Sequence, residues 1–388
     1  MKFTSRITTA NTTAQILEDL AKGQEESFDL GILFLSIANQ GLVRDIVQGL
    51  HGKISIKSLI GCTSAGVIGS NDEIEHQAAT VLVLAKLPDV KILPFAINQT
   101  QLEGFKTAEE WYQFFETYPN EKPTFILLPD PFLLDLNLLL GNLNRFYPGS
   151  AVAGGLASAA ASPGENTLIL DREQINEGAV GVVLTGNVRI ETVVSQGCRP
   201  VGETFIVTNA EENLIYSVAG KPFMEVVQKM LKKLPQRDRV LAHEALFVGI
   251  ATDEYKHELK RGDFLIRGLM GIDQETGAGV IADYIKTGQT VQFHLRDGET
   301  ASEDLNELML SQQLKMVNTR PQGALVFCCN GRGQSMFEEK NHDIGIIQHY
   351  MGSVPAGGFF CAGEIGPVGK QNFLHGFTNS IVLFYPLT

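Results

Sequence analysis

Two glycine-rich segments near the end of the chain carry charged side chains that could bind a ligand. The segment CNGRGQSMF, residues 329–337, places Arg332 between two glycines, and CAGEIGP, residues 361–367, places Glu364 in a similar setting. A guanidinium can hold a carboxylate or phosphate through two parallel hydrogen bonds, and backbone N–H groups in a glycine-rich turn add to such a site. Glu364 could accept a hydrogen bond from an amino group. The sequence therefore predicts a small-molecule site here, and a salt bridge between Arg332 and Glu364 is the structural alternative.

The predicted site extends to neighbouring residues and to two similar segments earlier in the chain. GCTSAGVIG, residues 61–69, and VAGGLAS, residues 152–158, also place small residues after an apolar run. Small residues at strand ends allow either a ligand or a packed element to approach the backbone closely. The complete set of predicted ligand-binding residues is Asn330, Gly331, Arg332, Gly333, Cys361, Gly363, Glu364, Cys62 and Ser64.

Covalent catalysis and metal binding are less favoured uses of these residues. Arg332 could activate a nearby thiol, which makes Cys328 and Cys361 candidate nucleophiles, but inert buried thiols are more common. No Asp–His pair has a spacing that would support a serine nucleophile at Ser64. The histidines show no metal-binding spacing, so neither a metal nor a cofactor is predicted from the residues.

Composition narrows the class of protein. The chain has 388 residues, 44% hydrophobic and 19% charged, which predicts a folded protein of two or three domains. Its formal net charge of -13 argues against nucleic acid as a partner, since the densest basic cluster is only Lys229, Lys232, Lys233, Arg237 and Arg239. Five cysteines without a C-x-x-C pair indicate a reducing compartment. Without an apolar signal segment or a membrane-length apolar run, the prediction is a soluble cytoplasmic protein.

The elements that position these residues follow a repeated pattern. Strand, helix, small-residue strand and strand recur over residues 124–186 and 324–387, and more loosely over 30–87. Short apolar runs rich in Val, Ile and Phe predict buried strands, which outnumber the helices. The clearest helical periodicity follows Pro222 and ends at Pro235. We therefore predict a mixed α/β fold of two related lobes, with mixed parallel and antiparallel sheets covered by helices.

Six segments together resemble the FIST family, named for F-box and intracellular signal transduction proteins. They are GCTSAGVIG, SQGCRPVGETFIVTNAEENLIYSVAGKPFMEVV, RGLMGIDQETGAGV, VQFHLRD, CNGRGQSMF and GGFFCAGEIGP. The resemblance covers nearly the whole chain, from about residue 29 to residue 386. It implies a FIST N-terminal domain at residues 1–199 and a FIST C-terminal domain at residues 200–388.

The resemblance also implies a function. FIST modules are intracellular and sense small molecules, such as amino acids, without catalysis. Since no F-box is expected before the first strand and no output domain after the last, a separate signalling protein is the implied partner. Relatives that bind haem and sense nitric oxide imply haem as an alternative cofactor, with His349 and His375 as its candidate ligands. A protein-interaction scaffold is a further alternative, and a cysteine-dependent enzyme is the least favoured one.

Overall fold

The computed structural model describes residues 1–256, 258–316 and 319–387. Packing divides the chain into two compact units: one combines Met1–Val194 with Asn306–Thr388, and the other is Ser195–Leu305. We call them the three-repeat unit and the barrel unit, after their architectures. The predicted division at residues 199/200 follows chain order, whereas the first unit takes in both ends of the chain because the last sequence repeat packs with the first two.

The chain begins with two copies of one pattern of strands and helices. The first copy consists of β1 (Lys2–Thr8), α1 (Thr13–Ala21), β2 (Ser27–Ser36), α2 (Val43–Lys53), β3 (Ser55–Ser64), β4 (Gly66–Ile68), β5 (Glu73–Glu75) and β6 (Thr80–Lys86). The second copy consists of β7 (Val90–Ile97), α3 (Gln99–Gly104), α4 (Ala108–Phe114), β8 (Thr124–Pro129), α5 (Leu136–Phe146), β9 (Val152–Gly155), β10 (Leu168–Leu170), β11 (Glu173–Ile175) and β12 (Ala179–Gly186).

The third copy is interrupted in sequence by the barrel unit. After β13 (Val188–Ser195) come β14 (Cys198–Glu211), β15 (Leu214–Val218), β16 (Lys221–Pro222), α6 (Phe223–Lys233), α7 (Gln236–Ala242), β17 (Leu246–Ala251), β18 (Phe264–Ile272), β19 (Gly279–Ile281), β20 (Thr290–Arg296) and α8 (Gly298–Lys315). The third copy then resumes with β21 (Gly323–Cys329), α9 (Gln334–Phe337), α10 (His342–Met351), β22 (Ala356–Cys361), β23 (Glu364–Val368), β24 (Gln371–His375) and β25 (Asn379–Pro386). Within the described ranges, no helix is both long enough and apolar enough to cross a bilayer.

Each copy has the same strand topology. β2 pairs in parallel with β3 and antiparallel with β6, and the same holds for β8 with β9 and β12 and for β21 with β22 and β25. The helices α2, α5 and α10 provide the crossovers that parallel pairing requires. The predicted repeat is therefore confirmed, as is the predicted fold class of mixed sheets covered by helices.

The hairpin that follows the second parallel strand of each copy joins the sheet of another copy. β4 pairs with β22, β10 with β3, and β23 with β9. Three six-stranded sheets result, in the orders β1-β6-β2-β3-β10-β11, β7-β12-β8-β9-β23-β24 and β13-β25-β21-β22-β4-β5. This exchange covers an edge that each copy would otherwise expose, and it interlocks the three copies.

The inner faces of the three sheets share one hydrophobic core. Phe34, Phe327 and Phe359 are in ring contact, with centroids 4.7 to 6.5 Å apart, and Ile126 and Val182 of the second copy lie in the same cluster. The outer faces of the first two sheets are covered by α1 and α2 and by α3, α4 and α5, respectively. Because the middle of these sheets is buried on both faces, the central strands β2, β6, β8 and β12 are continuous apolar runs in the sequence.

The barrel unit is a closed antiparallel sheet. β14 pairs with β20 through its first half and with β15 through its second half, and the order β14-β20-β17-β18-β19-β15 therefore returns to β14. Closure leaves none of these six strands as a free edge. The predicted helix after Pro222 is confirmed as α6, whose stripe of Phe223, Val226 and Met230 packs into the core of this unit beside Phe293.

Candidate functional site

Most of the predicted ligand-binding residues lie at the ends of β21 and β22 and at the start of the exchanged hairpin that follows β22. Asn330 to Gly333 follow β21, Cys361 ends β22, and Glu364 begins β23. The N–H of Asn330 donates to the carbonyl oxygen of Cys361 at 2.9 Å, and Cys361 shares the inner core with Cys62 of β3. The structure thus brings the two C-terminal segments together and places the cysteine of the first copy in the same core.

Packing accounts for the small residues in these segments. A Cβ atom on Gly358 would clash with a main-chain oxygen of β21, and one on Gly155 would clash with the sulfur of Cys361. Gly363 has the side chains of Leu374 and Leu156 close to the position that its Cβ would take. These positions are small because neighbouring backbones and side chains approach closely where the hairpins cross between sheets.

Arg332 is completely buried, and its guanidinium is bound by the carboxylate of Asp343. Nε lies 2.7 Å from Oδ2, and Nη2 lies 3.0 Å from Oδ1, which is the geometry of a bidentate pair. The guanidinium carbon lies 5.3 Å from the centroid of the Phe337 ring, which in turn stacks on the His342 ring at 3.5 Å. Two of the donors that were predicted to hold a ligand carboxylate therefore hold a carboxylate of the protein itself.

Asp343, in the first turn of α10, also accepts hydrogen bonds from several other groups. They are the Asn379 amide at 2.9 Å, the Cys328 thiol at 3.4 Å and the His342 ring at 2.9 Å. Burial alone would raise the pKa of Asp343, but the Arg332 guanidinium and the hydrogen bond from His342 hold it well below its usual value. Sequence analysis missed Asp343 because an aspartate in the first turn of a helix is common. Its place directly before the apolar residues Ile344, Ile346 and Ile347 was the only available signal.

Glu73 is a second buried carboxyl group that sequence analysis missed. It lies on β5 of the exchanged hairpin, and its Oε1 accepts the N–H of Ile344 at 2.7 Å. Burial raises the pKa of Glu73 to about 8, and the negative charge of Asp343 contributes to this rise. Glu73 is therefore protonated at neutral pH. The cluster combines a cation at Arg332, an anion at Asp343 and a neutral acid that links two sequence repeats.

The structure also places Glu364 and the two candidate haem ligands. Glu364 is buried, and its Oε2 accepts the N–H of Thr378 at 3.0 Å. His375 is also buried, and its Nε2 donates to the carbonyl oxygen of Gly366 at 3.0 Å, whereas His349 is exposed on α10. In the part of the chain that the structure describes, His, Cys, Asp and Glu side chains form no group of three that could hold a metal ion. Haem binding by either histidine stays a prediction.

The cysteines considered as nucleophiles are buried. Burial raises the thiol pKa of Cys328 and of Cys361 well above the usual value, and the charge of Asp343 adds to the effect at Cys328. The same cause raises the thiol pKa of Cys62. Because the thiolate is the reactive form, none of these three side chains is an activated nucleophile in this structure.

A cavity of about 480 Å³ lies in the barrel unit between α6 and the start of β14. Its apolar lining is formed by Phe205, Val226, Met230 and Leu234. Val226 and Met230 lie one turn apart on one face of α6, and Leu234 is the residue that directly follows the helix. β14 is irregular at this point, with a register shift between Val201 and Thr204 and with Gly202 in the left-handed region at φ +74°. This bulge interrupts the ladder beside the cavity.

Charged side chains also line this cavity. They are Lys221 of β16, Lys229 and Lys233 of α6, and Glu203 of β14. The Nζ atom of Lys233 lies 3.6 Å from Oε1 of Glu203. Sequence analysis noted Lys229 and Lys233 as part of a basic cluster but did not connect them with a site. Their four-residue spacing beside the apolar positions of α6 was the signal that could have done so.

Comparisons with known proteins identify the family. The FIST N domain matches residues 29–221, and the FIST C domain matches residues 224–367. The uncharacterized protein Rv0628c of Mycobacterium tuberculosis is 36% identical over 375 residues, which cover 97% of this chain and 95% of that protein. The uncharacterized protein Mb0898c of Mycobacterium bovis is 36% identical over 363 residues, 92% of this chain and 91% of that protein. The F-box/LRR-repeat protein At5g63520 of Arabidopsis thaliana is 33% identical over 108 residues, 24% of this chain and 20% of that protein. With both domain models and two relatives matching nearly its full length, the chain belongs to the FIST family.

Proposed function

We propose that this chain is a non-catalytic sensory protein of the cytoplasm that binds a small organic ligand in the cavity beside α6 and signals through a separate protein. FIST domains are associated with sensing in signal transduction, which supports the sensory role. The observation that carries the proposal is the cavity of about 480 Å³ with its largely apolar wall. Small-molecule sites typically have volumes of about 300–1,000 Å³ and this kind of lining.

The predicted residues around Arg332 and Glu364 are a less favourable place for the first binding event. An anion that used the bidentate face of Arg332 would have to displace Asp343 and leave that carboxylate buried without its cation. Removing one partner of a buried ion pair typically costs about 3–5 kcal/mol. We therefore propose that Arg332 and the predicted residues around it bind a ligand only in a state of the protein in which Asp343 has moved away from Arg332.

Buried thiols support a binding role rather than catalysis. The raised thiol pKa values of Cys328 and Cys361 disfavour the thiolate that covalent chemistry needs. The cavity beside α6, by contrast, needs no reactive group in order to bind a ligand. Ligand contacts with α6 can change the stability of that helix, which is a signal that a partner protein can detect.

Titration of the full chain with the neutral apolar dye Nile red tests the cavity. We expect saturable binding with increased fluorescence, and weaker binding by at least about tenfold in Leu234→Trp, because the indole fills part of the cavity. Leu234 is only partly exposed to solvent and lies at the end of α6. The matched control is Val240→Trp. Val240 lies on α7 outside the cavity lining, and it is 66% exposed. Circular dichroism checks that both variants fold.

Hydrogen exchange tests the sensory part of the proposal. Bound dye should slow amide exchange in α6 more than in α2, which lies in the other unit. Absence of saturable dye binding, or equal loss of binding in both tryptophan variants, would reject the cavity as the ligand site. Binding without any change in exchange would leave a ligand site but reject a sensory role for α6.

A further inference from the structure

We infer that the ligand of this cavity is an amphipathic organic anion, with an apolar body and a carboxylate or phosphate head. The inference rests on the proposed function, since it names the chemical class of ligand for the same cavity. Three lysines, an apolar wall and one weakly held carboxylate point to this class.

The charge around the cavity is opposite to that of the whole protein. Lys221, Lys229 and Lys233 contribute three positive charges and Glu203 contributes one negative charge, which leaves a local excess of two positive charges. The complete chain, in contrast, has a formal net charge of -13. Since most of such a surface repels anions, a local cationic lining concentrates them at this cavity.

The lysines of α6 lie one turn apart on the same side of the helix. Like charges at this spacing repel each other, and a bound anion between them would relieve the repulsion. Lys233 lies in the last turn of α6, where the helix dipole also favours a cation. Lys229 lies one turn earlier, where that effect is weaker. The helix terminus therefore does not account for Lys229, and an anion in the cavity would meet the ammonium groups of both lysines.

The apolar residues of α6 follow the opposite edge of the same helix face. Val226 and Met230 are buried, while Leu234 and Phe205 are partly exposed at the cavity. At 100° per residue, Val226 and Met230 form a row on α6 beside the row of the two α6 lysines, and Leu234 continues the apolar row just after the helix. A molecule with one charged end and an apolar body contacts both rows at once. A cavity of about 480 Å³ favours a small molecule of this kind over a peptide segment.

Glu203 is an internal competitor for the head group. Its carboxylate lies 3.6 Å from the ammonium of Lys233, with the two side chains 77% and 65% exposed, respectively. An exposed pair of this kind contributes little to stability, so a ligand carboxylate can replace Glu203 beside Lys233. Removing the carboxylate of Glu203 should therefore strengthen anion binding. A general loss of folding would not produce such a gain.

Displacement of Nile red from the full chain tests the ligand class with four molecules whose straight apolar tails differ by at most one carbon. Octanoate and octyl phosphate should displace the dye at concentrations at least about tenfold lower than octanol, and octylamine should be the weakest competitor. Added salt should reduce the advantage of the two anions and leave octanol unchanged. The more effective anion identifies whether the head group is a carboxylate or a phosphate.

Charge variants then connect the preference with the proposed side chains. Lys229→Gln and Lys233→Gln should each weaken displacement by octanoate by about three- to tenfold, and Glu203→Gln should strengthen it by about threefold. The matched control is Lys232→Gln, which lies on the same helix outside the cavity lining. Displacement by octanol should be the same in all four variants.

The outcomes separate failure of this inference from failure of the proposed function. If octanol competes as well as octanoate, the ligand is not an anion, although the cavity still binds a small molecule. Equal weakening in Lys229→Gln and Lys232→Gln would show a general charge effect and also overturn the inference. An acidic peptide that competes better than octanoate would replace the small anion by a protein segment. If Nile red does not bind at all, the proposed function fails together with the inference.

Discussion

Replacing the buried Glu73 by glutamine should stabilise the three-repeat unit at neutral pH and reduce its loss of stability toward alkaline pH. Burial raises the pKa of Glu73 to about 8 from an ordinary value of 4.5, with Asp343 and Glu75 adding to the rise and Arg332 opposing it. At pH 7 the folded chain therefore keeps a proton that the unfolded chain releases. Glutamine retains an oxygen that can accept the N–H of Ile344, but it does not ionise in either state.

The magnitude follows from the two pKa values. Between pH 4.5 and pH 8 the folded chain binds one more proton at Glu73 than the unfolded chain does, so the free energy of unfolding falls as pH rises. The slope is about 1.4 kcal/mol per pH unit. The protonated Glu73 makes its full contribution to the free energy of unfolding below pH 4.5. At pH 7 about 3 kcal/mol of that contribution has been lost. The variant has no such loss, and it should be more stable than the wild type by about 3 kcal/mol at pH 7.

Urea denaturation followed by tryptophan fluorescence measures the difference in the free energy of unfolding between variant and wild type, and it reports on the three-repeat unit. Trp111 is the single tryptophan of the chain, and it is buried in the three-repeat unit. Titrations of wild type and variant from about pH 5 to about pH 8 give the slope. Glu75→Gln is the matched control, because Glu75 lies on the same hairpin and accepts the N–H of Gln334 at 2.9 Å but is partly exposed. Its curve should keep the alkaline decline, which should only end at a slightly lower pH, because the charge of Glu75 is the smallest of the named causes that raise the pKa of Glu73.

Acid pH provides an internal check on the same cluster. The pKa of Asp343 is lowered in the folded state, so its contribution to stability is present above its ordinary pKa of 3.8 and is lost as pH falls. Glu73→Gln should keep this acid loss. A wild-type curve without an alkaline decline, or a variant that is less stable than wild type at pH 7, would refute the reasoning. Either result would mean that Glu73 is ionised in the folded state and that Arg332 compensates its charge.

Three further predictions concern the same unit. Arg332→Met should lower the free energy of unfolding by about 3–5 kcal/mol in the Trp111 assay, because the carboxylate of Asp343 would stay buried without its cation; a loss below about 1 kcal/mol would contradict this. Gly358→Ala should abolish soluble folded protein, since its Cβ would meet the backbone of β21, whereas Gly345→Ala on the exposed side of α10 should fold normally by circular dichroism. Cys361 should be alkylated by iodoacetamide only after urea is added, because burial raises its thiol pKa; rapid labelling of the native protein, detected by mass spectrometry, would contradict this.

Local patterns in the sequence determined the repeat and the fold class. Buried strands such as β8 and β21 are continuous apolar runs, and α6 shows its buried stripe at helical spacing, so period and length identify these elements without any distant contact. The repeated order of strand, helix, small-residue strand and strand predicted units that pack against each other, and the sequence also predicted that parallel and antiparallel pairing coexist, without assigning either to particular strands of a copy. The small residues at 61–69 and 152–158 marked the places where backbones approach closely, and the sequence favoured packing over a ligand as their cause.

Only the tertiary structure decided which sheet each hairpin joins and which group each buried charge meets. β4 pairs with β22 almost 300 residues later in the chain, and that pairing brings Glu73 to the N–H of Ile344. The sequence offered Glu364 or a ligand as the partner of Arg332, and only the fold shows that the start of α10 supplies Asp343 as its bidentate partner. A charge removed from water is stabilised by whichever opposite charge and donors share its interior, and that neighbourhood depends on long-range packing rather than on local spacing. For the same reason, two lysines that belonged to an ordinary basic cluster in the sequence became the lining of a cavity once α6 lay beside the bulge of β14.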